Sequence, residues 1–104
     1  RTDDIITFIQ DGKEVKIPPL AIYAVLKEVH NIRRFQVLKY PENRLELRIE
    51  EKEGMSKETA FVEAKACLVK FLATQNIGQV AVTLSEELPK QNPNSGKFKH
   101  IINV

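Results

Sequence analysis

The sequence has little that would stabilise a chain from outside its own core. A single cysteine, Cys67, excludes an internal disulfide and with it the scaffolds of small secreted domains. His30 and His100 stand far apart, with no cysteine or second histidine at ligand spacing, so no metal site is expected. Tryptophan is absent, and no apolar run approaches the roughly 18 residues needed to span a bilayer. No membrane partner is expected, and a reducing cytoplasm fits best. Only 4 glycines and 5 prolines exclude collagen-like and linker compositions. Residue 1 is Arg, with no initiator Met and no signal-peptide pattern, so the chain is expected to be cut from a longer polypeptide.

What is present suits one ordinary domain over residues 1–104. With 42% apolar and 29% charged residues in 104, such a chain buries roughly two thirds of its unfolded surface. Sixteen Lys and Arg against 14 Asp and Glu leave a formal charge of +2, too mild to name a partner. Arg33-Arg34 with Lys97, Lys99 and His100 would make a basic patch, but few exposed aromatics accompany it, and no nucleic-acid partner is expected.

Apolar spacing sets out the elements. Ile5 to Ile9 and Val15, Ile17 flank Asp11-Gly12, a dipeptide suited to a tight hairpin turn, which predicts a leading hairpin over 5–17. Pro18-Pro19 presets a helical turn, and Ile22, Val25, Leu26 and Val29 recur at helical spacing, predicting a helix that closes near Asn31. Phe35 to Tyr40 favours a strand, Pro41-Glu42-Asn43 a turn, and Leu45, Leu47 and Ile49 alternate with charged residues. Ser56 is an N-cap for the longest helix, whose stripe of Ala60, Phe61, Ala64, Cys67, Leu68, Phe71 and Leu72 places Cys67 in the core as a small apolar residue. Val80, Val82 and Leu84 form a strand, residues 89–96 a polar loop, and Phe98, Ile101 and Ile102 a last short strand. The fold class is therefore α+β. The leading hairpin stands apart from a sandwich over 18–104, in which two amphipathic helices pack on a three-stranded, mostly antiparallel sheet.

Two polar segments stand outside this core pattern: Arg1-Thr2-Asp3-Asp4 and Asn94-Ser95-Gly96-Lys97. Adjacent strand residues point to opposite faces, so Asp3 and Asp4 do not make a shared metal site. Glu50 to Glu53 reads as a solvated turn. Ser-Gly-Lys by itself reads as a surface turn, or as a lysine placed to hold a phosphate or carboxylate.

Together the two segments resemble the borders of the C-terminal domain of adenylate-forming enzymes, the superfamily of acyl-CoA synthetases. That family enters its small domain through a Gly-Arg-x-Asp hinge, matched here by Arg1 through Asp3, and carries a lysine in a Ser-Gly-Lys loop, matched by Ser95, Gly96 and Lys97. Arg-Thr-Asp-Asp before an apolar strand, with Pro19 to Leu26 following, looks most like the phenylacetate-CoA ligase branch. The resemblance implies Lys97 as the adenylation lysine, Asp3 as the hinge and Arg1 on the nucleotide. It also implies Gly12, Lys13 and Lys16 as candidates for a thiol channel, although relatives have a different turn where Asp11-Gly12 stands. The implied co-substrates are ATP, yielding AMP, and coenzyme A. With Mg2+, the ATP and the small carboxylic acid would be bound mainly by a large upstream domain of the same polypeptide. The competing readings are a stand-alone α+β binding module without catalysis, and a relative that passes AMP to an acceptor other than CoA.

Overall fold

In the computed structural model, which describes residues 5–90 and 100–103, the chain opens with strands β1 (Ile6–Gln10) and β2 (Lys13–Ile17), paired antiparallel with Gln10 opposite Lys13. Asp11 and Gly12 take φ of 54° and 76°. Two positive values make the turn whose twist matches that of the strands it joins, and Asp-Gly tolerates them better than most pairs. Alternation sends Ile6, Phe8 and Ile17 into the core and leaves Glu14 and Lys16 exposed.

Helix α1 (Pro19–Leu26) starts on Pro18 and Pro19 and buries Ile22 and Leu26. It stops short of Asn31. Two tight turns replace its expected last turn, with Val29 N–H donating to Leu26 O at 3.0 Å and Ile32 N–H to Val29 O at 3.4 Å. Both Val29 and Ile32 still reach the core. Strands β3 (Ile32–Tyr40) and β4 (Arg44–Glu51) form the central antiparallel hairpin, pairing Val37 with Leu47 and Gln36 with Arg48.

Helix α2 (Lys57–Thr74) begins where expected, Ser56 Oγ accepting from Thr59 N–H at 3.3 Å. It ends on Asn76 at φ 67°. There Asn76 N–H reaches Ala73 O at 3.1 Å and Ile77 N–H reaches Leu72 O at 2.9 Å, the bonding of a Schellman cap with Asn in the usual glycine place. Strands β5 (Ala81–Leu84) and β6 (Ile101–Asn103) complete a sheet of order β5-β4-β3-β6, with the leading hairpin as a separate two-stranded sheet. The expected α+β plan holds. The main sheet has a fourth strand, however, and is mixed, because β5 lies parallel to β4 and β6 parallel to β3.

Phe35, Val37, Leu45, Leu47, Ile49, Val82 and Ile101 turn one face of this sheet towards a core shared with Ala60, Ala64, Leu68 and Leu72 of α2 and with Ile6, Phe8 and Ile17 of the hairpin. Cys67 is not part of it: the thiol is exposed. The buried stripe on α2 steps by four residues, and each such step overshoots a full turn by about 40°. The stripe therefore winds round the helix and leaves Cys67 behind. On β3, Lys39 is buried, its Nζ donating to Tyr40 O at 2.6 Å and lying 5.2 Å from the Phe8 ring centre. Burial lowers its pKa.

The hairpin is fastened to the main sheet by Asn43, which is 8% exposed and has φ 56° in the β3–β4 turn. Its Oδ1 accepts from Ile9 N–H at 2.8 Å, and its Nδ2 donates to Ile9 O at 2.6 Å and Gln79 O at 3.2 Å. One side-chain amide thus stands in for a strand pairing between two sheets.

Candidate functional site

Arg1, Asp3, Ser95, Gly96 and Lys97 lie outside the described residues, but the points from which their segments spring are well defined. On the upstream side, Ile5 O accepts from Asn103 Nδ2 at 3.2 Å, so the chain arrives beside β6. Downstream of Ser95 to Lys97, the described chain resumes at His100, immediately before that strand. Three strand residues span about 10 Å, so the described residues that adjoin the two polar segments on this side, Ile5 and His100, both lie beside β6.

Upstream of Ser95 to Lys97, the chain is held by the sheet's outer face. Ser85 N–H donates to Leu47 O at 2.7 Å. Arg48 Nη2 meets Glu87 Oε2 at 3.1 Å, and Glu87 also pairs with Lys90 Nζ at 2.8 Å. Gln36, 1% exposed, takes hold of the backbone of Lys90 twice: its Nε2 donates to Lys90 O at 3.0 Å, and its Oε1 accepts from Lys90 N–H at 3.2 Å. Arg48 Nη1 adds a second bond to that oxygen at 2.9 Å. The face that alternation predicts to be wet is thus half covered by residues 85–90. Val37 N–H, one residue further along β3, donates to His100 O at 2.7 Å.

Beside His100, a groove of about 420 Å3 runs along Tyr23, Lys27, Arg33, Arg34 and Phe35. The His100 ring meets Tyr23 edge-on at 4.7 Å and lies 5.2 Å from Phe35. A basic rim over rings suits a flat anion. Its charge is partly spent, since Glu50 binds Arg34 at 2.6 Å and Arg33 at 3.5 Å, and the bond from Arg34 holds the Glu50 carboxyl below its usual range.

Burial lowers the His100 pKa, so folding disfavours the protonated ring. Stability tied to this residue is complete above the ordinary imidazole pKa and is lost as pH falls through the lowered one. The urea midpoint is expected to drop between about pH 7 and pH 5, and His100→Phe, which keeps a ring against Tyr23, should flatten that part of the curve. An identical slope in the variant assigns the loss to carboxylates instead.

The candidates on the hairpin do not converge. Gly12 sits at the exposed turn and both lysines are exposed. Lys13 shares a face with Val15 and Ile17 and lines an open groove with Gln75 and Asn76 at the end of α2, whereas Lys16 is on the opposite face by alternation. Among the described residues, no group of three His, Cys, Asp or Glu could hold a metal ion, and no helix is long and apolar enough to cross a membrane. The sequence pattern did not single out Gln36, Arg48 or Asn43. The only sign was a polar Gln inside an otherwise strand-forming run.

No protein-family model and no curated protein matches the sequence. Among solved structures, 100% of the chain matches part of 2-hydroxyisobutyryl-CoA ligase, crystallised in the postadenylation state in complex with 2-HIB-AMP, at a TM-score of 0.64 and 19% identity. The two share a fold. The chain spans 22% of the length of that ligase.

Proposed function

We propose that this chain is the C-terminal mobile domain of an ATP-dependent acid–thiol ligase, supplying the adenylation lysine and the hinge for domain alternation. The observation that carries this reading is the match of the entire chain to about a fifth of an acyl-CoA ligase. It is supported by the described residues that adjoin the two polar segments, since Ile5 and His100 both lie beside β6. In this reading a carboxylate attacks the α-phosphate of ATP, two anions meet, and charge grows on the bridging oxygen as pyrophosphate leaves. The Lys97 ammonium offsets both. Arg1 contacts the nucleotide, and rotation about Asp3 then withdraws the lysine and brings the hairpin face towards the thiol of coenzyme A. ATP, its Mg2+ and the acid are assigned to the upstream domain.

On the resemblance of residues 1–4 and 19–26, we place the enzyme nearest the phenylacetate-CoA ligases and its substrate among aryl acids. Acid-dependent ATP–pyrophosphate exchange by the full-length polypeptide, over aryl and aliphatic acids, tests this. Exchange is expected with an aryl acid. Exchange with none would leave a non-catalytic binding module as the better account. A second reading, transfer of AMP to a non-CoA acceptor, is favoured by the divergence of Lys13 and Lys16 onto opposite faces of the hairpin. An AMP-bearing acceptor formed without CoA would select it.

A further inference from the structure

We infer that the groove walled by Tyr23, Lys27, Arg33, Arg34 and Phe35 is a binding site for a small aromatic phosphate, a flat ring carrying a phosphate monoester. The inference does not depend on the ligase reading. It starts from an irregularity in β3. Successive strand residues point to opposite faces, so Arg33 and Arg34 should diverge. They do not. The pairing of β3 with β4 slips between Ile32 and Arg34, and a bulge of this kind re-aims a side chain. Ile32 and Phe35 are buried, while both arginines between them are exposed. Both reach one carboxylate, Glu50, Arg34 Nη2 at 2.6 Å and Arg33 Nε at 3.5 Å, and both line the same groove.

Helix α1 supplies the opposite wall. Tyr23 and Lys27 are four residues apart, hence neighbours on one helical face, and Lys27 N–H closes the last turn on Tyr23 O at 2.9 Å. Lys27 pairs with no carboxylate among the described residues. Arg34 spends Nε and Nη2 on Glu50 Oε1, which orients the guanidinium and leaves Nη1 for another acceptor. Three cations less the one carboxylate leave two positive charges. That is the complement of a phosphate monoester, which carries nearly two negative charges near neutral pH, rather than of a monocarboxylate. The rings supply the other half of the site. Tyr23 and His100 are half-buried and stand 5.7 and 5.2 Å from the buried Phe35 ring, a wall on which a flat ring stacks. At about 420 Å3, the groove has the size of a small-molecule site.

Phenyl phosphate is the probe, measured by equilibrium dialysis against the full-length polypeptide, with inorganic phosphate, benzoate and a short single-stranded RNA as comparisons. It is expected to bind at least about fivefold more tightly than inorganic phosphate or benzoate. Lys27→Ala combined with Arg33→Ala, both exposed positions, should weaken it at least about tenfold. Removing two charges elsewhere, Lys65→Ala with Lys70→Ala on α2, should change it less than about twofold. Tyr23→Leu keeps the cations and removes a ring, so it should weaken phenyl phosphate at least about fivefold and leave inorganic phosphate within about twofold. Failure of phenyl phosphate to bind at about 1 mM, or unchanged binding in the Lys27 and Arg33 double variant, overturns the inference. So does an equal loss in the two double variants, the signature of net charge alone. Equal affinity for phenyl phosphate and inorganic phosphate removes the aromatic ligand, and tighter binding of RNA with the same sensitivity would make the groove a nucleic-acid contact instead. Pyrophosphate exchange tests the ligase reading separately, so either can fail while the other stands.

Discussion

Under the proposed ligase function, Lys97→Ala in the full-length polypeptide is expected to lower acid-dependent pyrophosphate exchange by about 10²–10³-fold while a supplied acyl-adenylate is still passed to thiol at close to the native rate. The asymmetry follows from where charge develops. Two unit anions about 4 Å apart repel by about 4 kcal/mol at the effective dielectric of a protein surface, and only the first half-reaction brings a carboxylate up to a polyphosphate. Thioester formation discharges AMP and needs no cation at that place. Lys97→Arg should recover only part of the loss, because a planar fork does not replace a compact ammonium on a flexible stem. Exchange at the native rate in Lys97→Ala would remove the lysine from the mechanism.

The second large effect is on stability. Asn43→Ala is expected to destabilise the domain by about 3 kcal/mol or more, read from the urea midpoint. The substitution deletes an acceptor for Ile9 N–H and donors to Ile9 O and Gln79 O, leaving partly buried backbone groups without partners. It also puts a methyl side chain at φ 56°, where an L-residue other than Asn or Gly is strained by about 1–2 kcal/mol. Asn43→Gly relieves the strain but not the lost bonds, so it should lie between the native protein and Asn43→Ala. A loss below about 1 kcal/mol for Asn43→Ala would mean that apolar packing of Ile6, Phe8 and Ile17, not the amide, docks the hairpin.

Much of the fold was legible because much of it is local. Asp11-Gly12 announced a tight turn, Ser56 a helix start, and the alternation of Leu45, Leu47 and Ile49 a strand with one buried face. Each depends on residues within a few positions of one another. Elements that depend on distant partners were read less well. Three residues at Ile101–Asn103 cannot advertise that they lie parallel to β3. Pro41-Glu42-Asn43 reads as a turn whether or not its last amide reaches across to Ile9. The end of α1 was misplaced because Val29 continues the helical spacing even though the chain has already left the helix. Cys67 was misplaced because a stripe stepping by four drifts round the cylinder. The Ser-Gly-Lys motif is visible in the sequence, but the hydrogen bonds that hold Lys90 to the sheet are not. Gln36 on an alternating strand points to the face expected to be wet, where, among the described residues, Lys90 folds back over it and binds its amide.

The placement of β6 also bears on truncation. A version of this chain ending before Ile101 would leave β3, an apolar strand in the middle of the sequence, with bare N–H and C=O groups along one side, open to any other extended segment nearby. The last short strand therefore acts as a seal against self-association, and shortening the domain from that end should make it prone to clumping.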